Sequence, residues 1–222
     1  MFSVCRVAAR VSVRAAASGS SRRFFSFTYP VPRQLREVVK MSLFEREDAL
    51  TIKRLWVEQF KDNPRVATDT LWEQQHNQVV ANMRSCPLFL LPLPRPNGGV
   101  INLLLQCQDG RHVLVTPLEE YKTKGERAPA VAVVTAFGDL LGTRGVSLWR
   151  ADALSADLSG RDARFVLSFV LRAYGTDELF QWVRTFNERP QEFSFDDFLR
   201  TQRAGLLLEY GDTKDPKKAQ TT

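Results

Sequence analysis

Val100-Ile101-Asn102-Leu103-Leu104-Leu105-Gln106-Cys107-Gln108-Asp109-Gly110-Arg111-His112-Val113-Leu114-Val115-Thr116 is the stretch on which the fold turns. Two apolar runs of strand length flank Asp109-Gly110. An Asp-Gly pair between such runs is a hairpin signal, because both central residues of the tight turn need positive φ. The stretch therefore predicts two antiparallel strands, Val100 to Gln108 and His112 to Thr116.

Working outward, Leu88 to Leu93 is a short apolar run closed by Pro94 and Pro96, and Asn97-Gly98-Gly99 is a turn signal before the hairpin. Downstream, Pro117 to Lys124 has the spacing of a short helix carrying Leu118 and Tyr121 and ended by Gly125. Ala130 to Phe137 reads as a buried strand, Asp139-Leu140-Leu141 as a helical turn, and Gly145 to Arg150 as a further strand.

Helical patterns bracket this block. Leu35, Val38, Val39, Leu43 and Phe44 have helical spacing, and Asp48 to Lys61 predicts a helix with Leu50, Ile52, Leu55, Trp56 and Phe60 as its apolar stripe. Thr68 or Asp69 is placed to cap a third helix carrying Leu71, Trp72, Val79, Val80 and Met83, stopped by Pro87. On the far side, Arg161 to Tyr174 turns Phe165, Val166, Phe169, Val170 and Leu171 inward. Thr176 caps the next helix, and Ser194-Phe195-Asp196-Asp197 opens a last short one. Closely spaced strands without long crossovers, set between helices, predict an α+β fold with a mainly antiparallel sheet flanked by N-terminal and C-terminal helices.

The charge is unevenly placed. The chain carries a net charge of +6, yet residues 1–28 hold Arg6, Arg10, Arg14, Arg22 and Arg23 and no acid. Setting those five aside leaves 26 basic against 25 acidic residues, so the folded part is nearly neutral and lacks the broad basic surface of a nucleic-acid binder. Arg6, Arg10 and Arg14 share one helical face of an Arg- and Ser-rich segment, the pattern of an organelle transit peptide, and Arg23-Phe24-Phe25-Ser26 resembles a matrix processing site cut after Phe25. The expected organisation is a mitochondrial transit peptide over 1–28, one α+β domain over 29–204, and a polar, disordered tail over 205–222. No apolar run reaches the roughly 18 residues that would suggest a membrane span.

Few residues point to chemistry. The sequence has no phosphate-binding loop, no dinucleotide-binding glycine pattern and no nucleophile elbow. His76 and His112 stand alone, without a second ligand at metal spacing. Cys86 and Cys107 lack the spacing of a metal or redox pair and read as buried thiols. Glu119-Glu120 diverge as sequence neighbours, and Asp196-Asp197 mark a helix start. No catalytic, cofactor or metal site is expected. Aromatic residues are abundant, with fifteen Phe and four Trp. Those near strands and loops, Phe89, Tyr121, Phe137 and Trp149, are the candidates for an apolar contact surface, with Arg95 and Glu120 on its rim.

Four segments carry a family resemblance. Cys86-Pro87-Leu88-Phe89-Leu90-Leu91-Pro92-Leu93-Pro94-Arg95 is similar to a "CPxFxxPLPR" strand. Thr116-Pro117-Leu118-Glu119-Glu120-Tyr121-Lys122, with Gly125 and Ala128-Pro129 after it, resembles "T-x-L-x-EY…G…AP". Phe186-Asn187-Glu188-Arg189-Pro190-Gln191-Glu192-Phe193 resembles "FNxRPxEF", and Val39-Lys40-Met41-Ser42-Leu43-Phe44 resembles "VKxxLL". Together, with the first three in chain order, these segments resemble the mitochondrial F-type ATP synthase assembly factors that chaperone the β subunit, over about Leu35 to Phe198. Two places depart from it: Val134 to Leu140 stands where the family has a "THYTEL"-like stretch, and Arg150-Ala151-Asp152 where it has "RGE". The resemblance implies a non-enzymatic α+β protein of the mitochondrial matrix. It would need no cofactor, nucleic acid or membrane insertion. Its partner would be the unassembled β subunit, held until the α subunit displaces it. The competing readings are a mitochondrial RNA- or ribosome-associated protein using Arg161, Arg164, Arg172 and Arg203, and a small matrix enzyme.

Overall fold

The computed structural model describes residues 33–95 and 98–212. The expected transit peptide, the Tyr29-Pro30-Val31-Pro32 lead-in, Pro96-Asn97 and the tail beyond 212 lie outside the described residues.

The sheet forms around the predicted hairpin. β3 (Val100–Gln108) and β4 (His112–Pro117) pair antiparallel from Leu103↔Pro117 to Gln108↔His112. Asp109 and Gly110 both have positive φ, and the Arg111 N–H donates to the Gln108 carbonyl at 3.0 Å, closing a three-residue connection, Asp109 to Arg111, between the strands. β2 (Leu88–Pro94) pairs with β3, while β5 (Ala132–Phe137) and β6 (Val146–Ala153) continue the meander beyond β4. β1 (Val66–Trp72) adds antiparallel to β6, giving a six-stranded sheet in the order β1-β6-β5-β4-β3-β2. The fold is thus α+β with an antiparallel sheet, as the sequence predicts.

The helices are α1 (Leu35–Val38), α2 (Met41–Phe44), α3 (Ala49–Phe60), α4 (Glu73–Ser85), α5 (Leu118–Lys124), α6 (Leu141–Arg144), α7 (Gly160–Gly175), α8 (Asp177–Glu188) and α9 (Phe195–Asp212). α7 runs along one face of the sheet and is the centre of the larger core, with Phe165, Val166, Phe169 and Val170 fully buried. Its start is fixed by a reciprocal cap. Ser159 Oγ accepts from the Asp162 N–H, and the Asp162 carboxylate accepts from the Ser159 N–H at 2.8 Å. It also lies so close to the chain entering β1 that a Cβ on Gly160 would sit 2.4 Å from the Pro64 carbonyl oxygen. On the other face, α1 to α3 close a smaller core of Leu35, Phe44, Ile52, Trp56, Phe137 and Leu148. The Trp56 indole N–H donates to the Trp149 carbonyl at 3.0 Å and ties α3 to the sheet.

The structure corrects the sequence in four places. Val66–Trp72 is a strand, and the third helix starts only at Glu73. Asp69, read as a helix cap, accepts instead from its neighbour Thr70 N–H at 2.7 Å. The first helical pattern is broken into α1 and α2 by extended backbone at Val39 and Lys40. Leu50, assigned to the apolar stripe of α3, is 70% exposed. The last helix is not short: α9 has 18 residues, so residues 205–212 belong to it and not to a tail. Leu206, buried, and Tyr210, packed against the larger core, anchor that extension.

Candidate protein-binding surface

The two edges of the sheet are where this protein can offer backbone to another chain, and they differ. At β2 the Cys107 N–H donates to the Pro87 carbonyl, so odd-numbered residues of β2 turn their backbone groups to β3 and even-numbered ones outward. The outward positions are Leu88, Leu90, Pro92 and Pro94. Two of them are prolines with no N–H to offer, a placement that edge strands tolerate and central strands do not. The Leu88 N–H and C=O are both taken by the side-chain amide of Asn187, at 3.1 and 2.6 Å. All seven residues of β2 are buried.

The segments read as motifs therefore meet and serve structure. Phe89 stacks on Phe169 and takes edge contacts from Phe186, Phe193 and Phe198, with ring centres 5.3–6.2 Å apart. Arg95 pairs with Asp162 at 3.4 Å, and the same carboxylate accepts from the Tyr210 hydroxyl at 3.0 Å. That network joins the end of β2 to α7 and α9.

The predicted contact residues are not brought together. Phe89, Phe137 and Trp149 have essentially no accessible surface, and Phe137 sits in the smaller core, apart from the other two. They cannot line an exposed patch, because their rings are what the strands bury. Arg95 is engaged with Asp162, Tyr121 packs half-buried against the larger core, and Glu120 pairs with Lys124. The arginines considered for RNA are also partly spent inside the molecule. Arg161 donates to the Tyr210 carbonyl, and Arg172 pairs with Glu209 at 2.7 Å.

The exposed apolar surface lies elsewhere. Leu50 and Val57 of α3 are more than half exposed, as is Leu43, and Trp72 at the end of β1 is 41% exposed. Lys53 Nζ lies 4.2 Å over the Trp72 ring, which places the Leu50–Lys53–Val57 flank of α3 above the β1 edge. Val100 and Leu207, both exposed, flank a cavity of about 180 Å³ between the β2–β3 turn and α9, and Ile101 and Leu208 are exposed as well. The overlooked signal is local: Leu50 and Val57 are seven residues apart, on the side of α3 away from Ile52 and Trp56.

At the β1 edge the Arg65 carbonyl accepts from the Ala153 N–H, so odd-numbered residues face β6 and Val66, Thr68, Thr70 and Trp72 face outward. The Asn63 carbonyl takes the Val66 N–H at 3.3 Å, the Asp69 carboxylate takes that of Thr70, and Gln75 Oε1 takes that of Trp72 at 3.3 Å. Among the described residues the outward Thr68 N–H and the Thr68 and Thr70 carbonyls have no partner. From Thr68 to Trp72 the strand is half-buried or exposed. On the side of the sheet away from α3, a cavity of about 220 Å³ beside Asp69, Leu71, Val79 and Leu171 opens next to it. Burial raises the Asp69 carboxyl above its ordinary pKa, against the Thr70 amide and the nearby Lys53 charge.

Reactive groups are muted. Burial pushes the Cys107 thiol up to about 12 and raises that of Cys86, so both stay protonated near neutrality. Burial first, and neighbouring arginines second, lower His76 and His112, which leaves both neutral. A cavity of about 330 Å³ beside His76, Arg84, Arg111 and Asp139 has no hydroxyl or thiol in its lining. Among the described residues no group of His, Cys, Asp and Glu is placed to hold a metal, and no helix is long and apolar enough to cross a membrane.

What the fold and its surface define is an α+β protein that displays, among its described residues, apolar side chains and one accessible strand edge. The chain belongs to the ATP11 protein family, whose pattern matches residues 15–199. It is 28% identical over 141 residues to "Protein atp11, mitochondrial" of Schizosaccharomyces pombe, covering 55% of this chain and 49% of that protein. It is 27% identical over 169 residues to the mouse and human proteins named "ATP synthase mitochondrial F1 complex assembly factor 1", covering 73% of this chain and 50% and 49% of theirs. The chain thus spans about half the length of the curated relatives it matches.

Proposed function

We propose that this protein is a non-catalytic assembly factor for the catalytic head of the mitochondrial F-type ATP synthase, acting in the matrix on the unassembled β subunit. The carrying observation is membership of the ATP11 family together with relatives named for assembly of the F1 complex. The surface is compatible with that role. An unassembled subunit exposes apolar interface that favours aggregation, and a holding protein needs exposed apolar surface of its own to cover it. Release needs no nucleotide if the native contact with the α subunit is tighter than the contact with the factor. In this reading residues 1–28 direct import and are removed, and residues 29–204 with the extension of α9 form the working domain.

The test is an affinity pull-down of the mature chain from matrix extract, identified by mass spectrometry. Enrichment of free β subunit without α subunit or assembled enzyme supports the proposal. Recovery of ribosomal proteins or RNA, with no β subunit, overturns it in favour of the RNA-associated reading.

A further inference from the structure

The β1 edge has a specific shape. The outward N–H of Thr68 and the outward carbonyls of Thr68 and Thr70 form an interrupted ladder that only extended backbone can complete. Among the described residues no proline interrupts it, in contrast to β2, and from Thr68 to Trp72 it is half-buried or exposed although α3 and α7 pack against the strand. An added strand would point alternate side chains to opposite sides of the sheet. On one side stand Val57 and Trp72, 51% and 41% exposed. On the other is the 220 Å³ cavity, where Leu71, Val79 and Leu171 stand beside Asp69, Ser168 and Arg172. One side of such a strand thus meets apolar surface and the other a cavity of mixed character.

We infer that β1 is an acceptor edge. It takes an extended client segment with apolar residues at alternate positions, added as a seventh strand beside Thr68 and Thr70. Here the client is a strand-forming segment of the unassembled catalytic β subunit, an identity that rests on the proposed function. The side-chain caps on β1 act as place-holders. The Asp69 carboxylate occupies the Thr70 N–H while the edge is empty and gives way when a carbonyl of the client arrives.

The experiment uses the mature chain and isolated β subunit diluted from denaturant, and reads amide hydrogen exchange together with binding affinity. Complex formation is expected to slow exchange across residues 66–72, the Thr68 amide most of all. Thr68→Pro, which deletes the outward N–H and no bond to β6, is expected to weaken binding about tenfold or more. Val57→Asp, on an exposed helix flank, is expected to weaken it severalfold without altering the thermal midpoint, and covers the case that Thr68→Pro does not fold. β-subunit binding with unchanged exchange at 66–72, or binding abolished by Leu207→Asp but not by Val57→Asp, overturns the acceptor edge and leaves the assembly role standing. Protection of 66–72 that grows with the concentration of the chain alone would assign the edge to a second copy and also overturn the inference. No β-subunit binding by the unmodified chain defeats the assembly role and this inference together.

Discussion

β2 and β1 are the two edges of one sheet and are finished in opposite ways. At β2, Pro92 and Pro94 remove outward donors outright, Asn187 takes both backbone groups of Leu88, and α8 and α9 bury the whole strand. At β1 the outward donors of Val66, Thr70 and Trp72 are occupied by a turn carbonyl and two side chains, Asp69 and Gln75, that of Thr68 is open, and the strand from Thr68 onward remains accessible. A proline cannot be displaced, whereas a side-chain acceptor can be exchanged for another at little net cost. The difference teaches that the segments most distinctive in sequence build the edge that must not pair, and that the accessible edge is made of less distinctive residues.

The strongest way to break this contrast is at Phe89. Phe89→Ala removes the ring around which Phe169, Phe186, Phe193 and Phe198 gather, and is expected to cost about 3–5 kcal/mol in denaturant unfolding. A loss below about 1 kcal/mol would show that the sealed edge is not anchored by that cluster. Next is Asn187→Ala, which leaves the Leu88 N–H and C=O without partners. A loss of about 1–3 kcal/mol and a new tendency to self-associate are expected, the second checked by light scattering. Unchanged stability would mean that water replaces the amide and that the clamp is incidental.

At the accessible edge the effects on folding shrink while those on binding grow. The double change Leu50→Ser, Val57→Ser touches side chains already largely in solvent. Stability is expected to stay within about 0.5 kcal/mol, while any suppression of β-subunit aggregation that follows from the proposed function is expected to fall markedly. Intact suppression would move the working surface to the Val100–Leu207 side. The smallest effect is at Asp69. Its raised carboxyl pKa means that the folded chain holds the proton more tightly than the unfolded chain, so the ionised group costs stability at neutral pH. The cost fades as pH falls through the raised value toward 3.8 and is absent below both. Asp69→Asn, which keeps an acceptor for Thr70, is expected to raise Tm slightly at pH 7, with the gap closing below about pH 4. A gap that widened in acid would contradict burial as the cause.

Much of this was legible beforehand for identifiable reasons. Asp109-Gly110 declared the hairpin because few residues tolerate positive φ, and Phe165 to Leu171 declared α7 because its apolar spacing is long and regular. β1 was missed because Thr68 and Asp69 suit a helix cap as well as an edge strand, and a strand whose buried residues are confined to Val66 and Ala67 carries no clean alternation. The contact residues were misjudged because an aromatic on a strand is equally apt for core or surface. Phe89, Phe137 and Trp149 went to the core, while Trp72 stayed out.

The sequence by itself determined the periodicities, the turns, the uneven charge and the motif order, since these are properties of neighbours along the chain. Only the tertiary structure decided which edge is closed. That depends on Asn187 reaching Leu88 across 99 positions, and on which flank of α3 overhangs β1. Both are matters of packing between distant segments, and local spacing holds no record of them.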